Sequence, residues 1–293
     1  MSISVGIAPD SWGVWFPKHE KQTPWKRCMD EMAAAGYAGV ELGPWGYLPN
    51  TVSELKEALD TRNLVLVAGT VGGDFLNDKS VDEMCRTIDE IAGLLNEFNE
   101  AKYIVLLPSM YTDLETGAPV MHKVLSSQEW GKYAANVQRA ADHVAGHGLV
   151  AAFHPHVDCH VETEEEIERL LADTNVGLCF DTGHHVYGGG EPISFYRKHA
   201  ERIPYIHIKD CDLFVKKQME QNGWSFAKAV TRGIMTEPGN GSIDFEQFYQ
   251  ALAETDYDGW VVVEQDLFPV TSFDIPYPIA KRTRINLEKA GFR

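Results

Sequence analysis

Short apolar runs recur along the chain, separated by longer polar stretches with helical spacing. The runs are "ISVGIAP" (3–9), "GVEL" (39–42), "LVLVAGT" (64–70), "YIVLLP" (103–108), "LVAAFH" (149–154), "VGLCFD" (176–181), "PYIHIKD" (204–210) and "WVVVEQD" (260–266). They are rich in β-branched residues and apolar on both faces, which predicts parallel strands covered by helices. Between them, residues 24–36 begin with a first-turn Pro24 and stop at Gly36. Ser53 ahead of "ELKEAL", and Ser80 with Glu83 three residues later, read as capping boxes. Residues 127–147 and 276–290 carry helical periodicity. "TEEEIERLLAD" places acids in a first turn, where the helix dipole favours them, and Asp244 is a good N-cap for "FEQFYQALAE". Eight strands alternating with helical segments predict an α/β fold, a (β/α)8 TIM barrel. No G-x-G-x-x-G follows the first strand, which disfavours an open dinucleotide-binding sheet.

The 293 residues suit one such barrel as a single domain over 1–293, a fold that typically takes about 250 residues. The step from the seventh run to the eighth is long, so a loop inserted over about 211–240 is expected above the C-terminal mouth. A net charge of −17 argues against nucleic acid and anionic membranes as partners. No apolar run is long enough for a membrane span and no secretory signal shows at the N-terminus. The five cysteines are scattered without a CxxC pair, as expected of a cytoplasmic protein with free thiols.

In a barrel of this kind the chemistry sits where strands run out into their following loops. The fifth run ends at His154, the sixth at Asp181, the seventh at His207 and Lys209, and the eighth carries Glu264. Imidazole and carboxylate from four successive strand ends suit one divalent ion, Mn²⁺ or Co²⁺ first, with Fe²⁺, Zn²⁺ or Mg²⁺ as alternatives. Each residue alone has a plainer reading: a hydrogen-bonded histidine at the mouth, an aspartate cap, a glutamate paired with Lys209. Their common phase is what points to a metal centre. His156, His184, Lys209 and Glu41 are candidate acids or bases near it, with a structural alternative for Glu41 as an ion-pair partner and for His184 as an orienter of a ligand. Trp12, Trp15, Trp45 and Tyr111 are candidate substrate-binding residues of the mouth loops, or simply its walls. "GGG" (188–190) precedes no GK[ST], so it reads as a turn rather than a phosphate loop.

With these residues placed, the chain resembles the xylose-isomerase-like TIM barrels of the sugar phosphate isomerase/epimerase superfamily, and within them the myo-inosose-2 dehydratases. "VGIAPDSW", "HVETEEEIERLLADT", "FDTGHH", "IHIKD", "EPGNGSIDF" and "GWVVVEQD" carry the resemblance from end to end. It implies metal ligation by Asp181, His207 and Glu264, with His154 where the epimerases and ketose isomerases have glutamate. It implies a divalent-metal-dependent lyase that removes water from a cyclic polyol ketone such as 2-keto-myo-inositol through an enolate. A sugar or inosose isomerase or epimerase on the same site is the alternative. An endonuclease IV-like nuclease and a non-catalytic sugar-binding subunit stand further off. The expected partner is a small polyol ketone or ketose, and the family's dimers and tetramers make a homo-oligomer the expectation. Three departures bear on the substrate pocket, the first being a fourth strand that ends "LLPSMYTD", less polar than the family's. Pro155 interrupts a run of histidines, and "SWGVWFPK" is a bulkier loop than the family's.

Overall fold

A computed structural model describes residues 3–293. Eight parallel strands close into a barrel in sequential order: β1 (Ile3–Ile7), β2 (Gly39–Glu41), β3 (Val65–Gly73), β4 (Tyr103–Pro108), β5 (Val150–Phe153), β6 (Gly177–Asp181), β7 (Tyr205–Ile208) and β8 (Gly259–Val263), which returns to β1. Each of the eight apolar runs overlaps one of these strands, because a strand buried on both faces has no polar face to interrupt its pattern. β3 runs on to Gly73, and β8 begins one residue early at Gly259. Inside the barrel, Val67, Val105, Ala152, Cys179, Tyr205, Trp260 and Val262 pack with neighbours into a core of their own. Gly39 is needed there, since a Cβ would come within 2.5 Å of the Trp260 ring. Outside, long helices such as Asp78–Leu95, Ser127–Gly146 and Phe245–Glu254 bury an apolar stripe in the main core.

The helices are α1 (Trp25–Ala35), α2 (Val52–Asp60), α3 (Asp78–Leu95), α4 (Ser127–Gly146), α5 (Glu164–Asp173), α6 (Thr182–Tyr187), α7 (Pro192–His199), α8 (Leu213–Asn222), α9 (Phe226–Val230), α10 (Phe245–Glu254) and α11 (Pro276–Lys289). The true capping boxes are Ser126 with Glu129 on α4 and Thr163 with Glu166 on α5. The two expected at Ser53 and Ser80 do not form. α2 starts after Thr51 with no side-chain cap, and Asn77 caps α3. The Ser80 hydroxyl instead accepts from the Asp74 amide at 2.9 Å, so it fixes the preceding loop.

Between β7 and β8 the chain makes an excursion. Asp210–Cys211 pairs antiparallel with Met235–Thr236, and α8 and α9 lie between these two short strands. The base of the excursion is held by Asp210. Its buried carboxylate accepts from the amides of Cys211, Gly239, Gly241, Ser242 and Ile243 at 2.9–3.2 Å. The turn residues of "EPGNGSIDF" thus wrap one carboxylate before Asp244 caps α10. No helix is long and apolar enough to cross a membrane among the described residues.

Candidate active site at the C-terminal mouth

Strand register brings the chemistry together. Asp181 sits beside His207 across β6 and β7, and His207 sits beside Val262 of β8, two residues before Glu264. The His154 amide donates to Leu106 O, which fixes the residue just past β5. His154, Asp181, His207 and Glu264 then each offer one ligand atom, all within 4.8 Å of one another. His154 Nε2 lies 3.7 Å from Asp181 Oδ2 and 3.5 Å from Glu264 Oε2. His207 Nδ1 lies 3.9 Å from Asp181 Oδ2 and 2.9 Å from Glu264 Oε2.

Each of these atoms is turned inward by what its side chain does elsewhere. His154 Nδ1 lies 3.3 Å from the Pro155 carbonyl, so that nitrogen carries the proton and Nε2 presents a lone pair. His207 Nε2 donates to Glu41 Oε1 at 2.7 Å, so Nδ1 is the free nitrogen. Glu41 Oε1 also accepts from the Tyr205 hydroxyl at 2.6 Å. Asp181 is divided: Oδ1 caps α6 by accepting from the His184 amide at 2.8 Å, and Oδ2 faces the cluster. Asp181 Oδ2, His207 Nδ1 and Glu264 Oε2 are buried without a hydrogen-bond partner. Buried polar atoms are seldom left so, and four lone-pair atoms facing one point are what a cation would satisfy. Ligands at about 2.0–2.2 Å from a common ion stand about 3–3.6 Å apart, close to the spacings seen. The donor set, two imidazole nitrogens and two carboxylate oxygens, fits a divalent transition ion better than Mg²⁺. Cys179 also lies within reach of His154 and His207, and burial pushes its thiol up to about 12.

The second ring of charge is centred on Lys209. Its ammonium lies 3.0 Å from Asp266 Oδ2, 3.1 Å from Glu264 Oε2 and 3.4 Å from Asp181 Oδ2, and donates to His184 Nε2 at 2.9 Å. Burial works against this charge, but Asp181, Asp266 and Glu264 outweigh it and raise the pKa. Lys209 therefore stands as an ammonium ion among these carboxylates. Gly183 of "DTGH" makes room for it, since a Cβ there would approach Lys209 Cγ to 2.6 Å. His184 is held against it, away from the cavity, and its ring lies 4.0 Å from that of His156. His184 is not among the residues lining the cavity, and its Nε2 accepts from Lys209. Glu41 keeps its structural alternative as the anchor of His207, although it also touches the cavity.

Above the cluster opens a cavity of about 570 Å³, within the range of small-molecule sites. Asp10, Glu41, His154, His156, His207, Glu264 and Asp266 form its polar floor. Trp15 and Trp45 line it as expected. Trp12 and Tyr111 do not. Trp12 is wholly buried with its Nε1 donating to Glu31 at 2.7 Å, because its side chain turns into the helical layer. The Tyr111 hydroxyl turns towards Asp158, 3.4 Å away, and its ring packs beside His160. Sequence reasoning missed Asp10 and Asp266. Both lie just past strand ends in "APDSW" and "EQD", where a carboxylate was visible but was not weighed. Burial, Glu264 and Asp266 all raise the Asp10 pKa. It also missed Phe226, which α9 delivers from the excursion to the cavity and to His156, ring centroids 6.0 Å apart. No local signal could have announced that.

Burial and Lys209 lower the pKa values of His156 and His184, His184 also through His156 and His154, and burial with His207 lowers that of His154. All three are neutral near pH 7. His207 differs: burial disfavours its charge, but Cys179, Glu264 and Glu41 outweigh burial and raise its pKa, so a cation bound at Nδ1 would displace a proton from it. Burial also pushes Asp181 up to about 7, against the pull of Lys209.

The comparisons with known proteins agree with this architecture. The family model described as "Xylose isomerase-like TIM barrel" matches residues 29–274. The rhizopine catabolism protein MocC of Rhizobium meliloti is 36% identical, covering 100% of this chain and 91% of that protein. An inosose dehydratase of Clostridium beijerinckii is 32% identical over 99% of this chain and 98% of its own length. The crystal structure of the IOLI protein with a binding zinc atom shares the fold, with a TM-score of 0.72, 19% identity and coverage of 98% and 99% of the two chains. The chain belongs to the xylose isomerase-like TIM barrel family and is an inosose dehydratase-like member of it.

Proposed function

We propose that the protein is a divalent-metal-dependent dehydratase acting on a cyclic polyol ketone of the 2-keto-myo-inositol type. The observation that carries this is the set of inward-facing, unpartnered ligand atoms on the cavity floor. The end-to-end similarity to inosose dehydratases supplies the reaction class. His154, Asp181, His207 and Glu264 would hold the ion, which when bound would act as a Lewis acid towards the ketone.

The chain's own groups account for the proton movements. His156 Nδ1 lies 2.9 Å from the Val157 carbonyl, so Nδ1 carries the proton and Nε2 holds a lone pair at the cavity. A neutral imidazole there can take the proton α to the ketone, as the C–H bond breaks. The same imidazolium can give that proton to the departing β-hydroxyl, which leaves as water. Glu41 and Tyr205 hold the His207 ring in one tautomer. Lys209 and His184 fix the carboxylates and the His156 ring from behind. Asp10 and Asp266 offer oxygens to the substrate's hydroxyls.

The test is incubation of protein loaded with Mn²⁺ or Co²⁺ with scyllo-inosose. Loss of one water by mass, with a new conjugated-carbonyl absorption, is expected. A product of unchanged mass would replace the dehydratase with an isomerase or epimerase.

A further inference from the structure

The cavity is polar at the floor and apolar in its wall, and that division carries information about the substrate. The floor groups all come from strand ends, whereas the wall is built by loops and the excursion: Trp15, Phe16, Trp45, Met110, Leu114 and Phe226. None of the residues lining the cavity is Lys, Arg, Asn, Gln, Ser or Tyr. Of the polar side chains above the floor, Trp45 and Thr87 are already engaged and the Thr70 hydroxyl alone is free. Trp45 Nε1 donates to Glu90 at 2.8 Å, and the Thr87 hydroxyl donates to Glu83 O of its own helix at 3.2 Å. The wall is also braced: Trp15 stacks on Phe226 with ring centroids 6.4 Å apart and on Phe268 at 5.1 Å.

A bare cyclitol ketone carries a hydroxyl on every carbon but one. Held with its carbonyl at the floor, it would turn several hydroxyls against a wall where the Thr70 hydroxyl is the one free side-chain partner, and an unpartnered buried hydroxyl costs about 1–3 kcal/mol. A cationic clamp for phosphate or carboxylate is equally absent from the lining, where Asp10, Glu41, Glu264 and Asp266 would repel an anion. We infer that the physiological substrate is an uncharged polyol ketone bearing an apolar substituent, such as an alkyl or aryl ether, on the side of the ring away from the carbonyl. The inference rests on the proposed reading of the floor as the ketone-binding end. In this arrangement the floor takes the hydroxylated, reacting half and the aromatic wall takes the substituent.

Two measurements separate this inference from the reading beneath it. Calorimetric binding to the metal-loaded protein is compared for an unreactive inositol and its mono-O-propyl and mono-O-benzyl ethers, each regioisomer in turn. The best ether is expected to bind tighter by about fourfold for each methylene the wall covers. Leu114→Asp and Met110→Gln are expected to narrow that ratio at least fivefold. Ethers that bind no tighter than the parent in any regioisomer overturn the inference, whatever the variants do. The binding arm needs no turnover. In parallel, water release is followed from scyllo-inosose and its ethers. Release from the ketones with no preference for ethers keeps the dehydratase and overturns the substituent. Tighter ether binding without water release from any ketone keeps the apolar subsite and overturns the dehydratase.

Discussion

Among the described residues, two clusters join histidines and acids in groups of three or more, and they are built alike but placed differently. His154, Asp181, His207 and Glu264 meet at the barrel mouth, buried among strand ends. Asp89, His143 and His147 meet on the surface between α3 and α4, where both Nε2 atoms lie 2.8 Å from one Asp89 oxygen. The surface trio closes its own hydrogen bonds and can be hydrated. The buried set leaves three ligand atoms with no hydrogen-bond partner, two of them carboxylate oxygens that face the Lys209 ammonium at 3.1 and 3.4 Å. Residue type alone does not mark a metal centre; unsatisfied burial does.

The largest break of this contrast should come from Asp181→Asn combined with Glu264→Gln. Metal affinity is expected to fall by more than about 1000-fold, over 4 kcal/mol, with activity lost, as read by equilibrium dialysis and turnover. Removing the metal from the wild type with a chelator should abolish turnover reversibly. Lys209→Met would leave Asp181, Glu264 and Asp266 buried without their cation. A loss of about 3–5 kcal/mol in denaturant unfolding is expected for the metal-free protein, with part of it restored by a divalent ion. Glu41→Gln acts one step further out. It keeps the shape but loosens the hold on His207, and should weaken metal binding about 10–100-fold while leaving one ion per chain.

A smaller effect sharpens the comparison from another side. Glu162 Oε2 is also buried and unpartnered, but it stands alone, with only Lys123 at 3.9 Å. Burial pushes this carboxyl up to about 7 from an ordinary 4.5. A raised acid favours the folded state below its unfolded pKa and loses that contribution as pH rises through the folded value. Glu162→Gln should therefore stabilise the protein by about 1–2 kcal/mol at pH 8 and hardly at all at pH 4.5, by thermal unfolding at the two pH values. The smallest effect is expected from His143→Ala with His147→Ala, which should leave tight metal stoichiometry unchanged.

How much of this was legible in the chain follows from where information resides locally. The barrel could be read because doubly buried strands write uninterrupted apolar runs, and the four floor residues because they end those runs in phase. The caps show the limit. Ser80 has the sequence signature of a capping box, but the chain starts the helix three residues earlier and spends the hydroxyl on Asp74. Trp12 and Trp15 are three residues apart in one loop, and nothing local says that one turns into the helical layer and the other into the cavity. Lys209 ends its run as a candidate base, and nothing local says that three carboxylates surround it. Phe226 reaches His156 only through the long excursion after β7, a contact that periodicity cannot express.

The central claim is that four strand-end side chains share one divalent ion, and titration of chelator-stripped protein with Co²⁺, followed by visible absorption, tests it most directly. The account predicts a single tight equivalent per chain with the absorption of Co²⁺ bound by nitrogen and oxygen, absent from the Asp181→Asn, Glu264→Gln double variant and intact when His143 and His147 are replaced. Uptake that survives the first pair of changes and disappears with the second would contradict it.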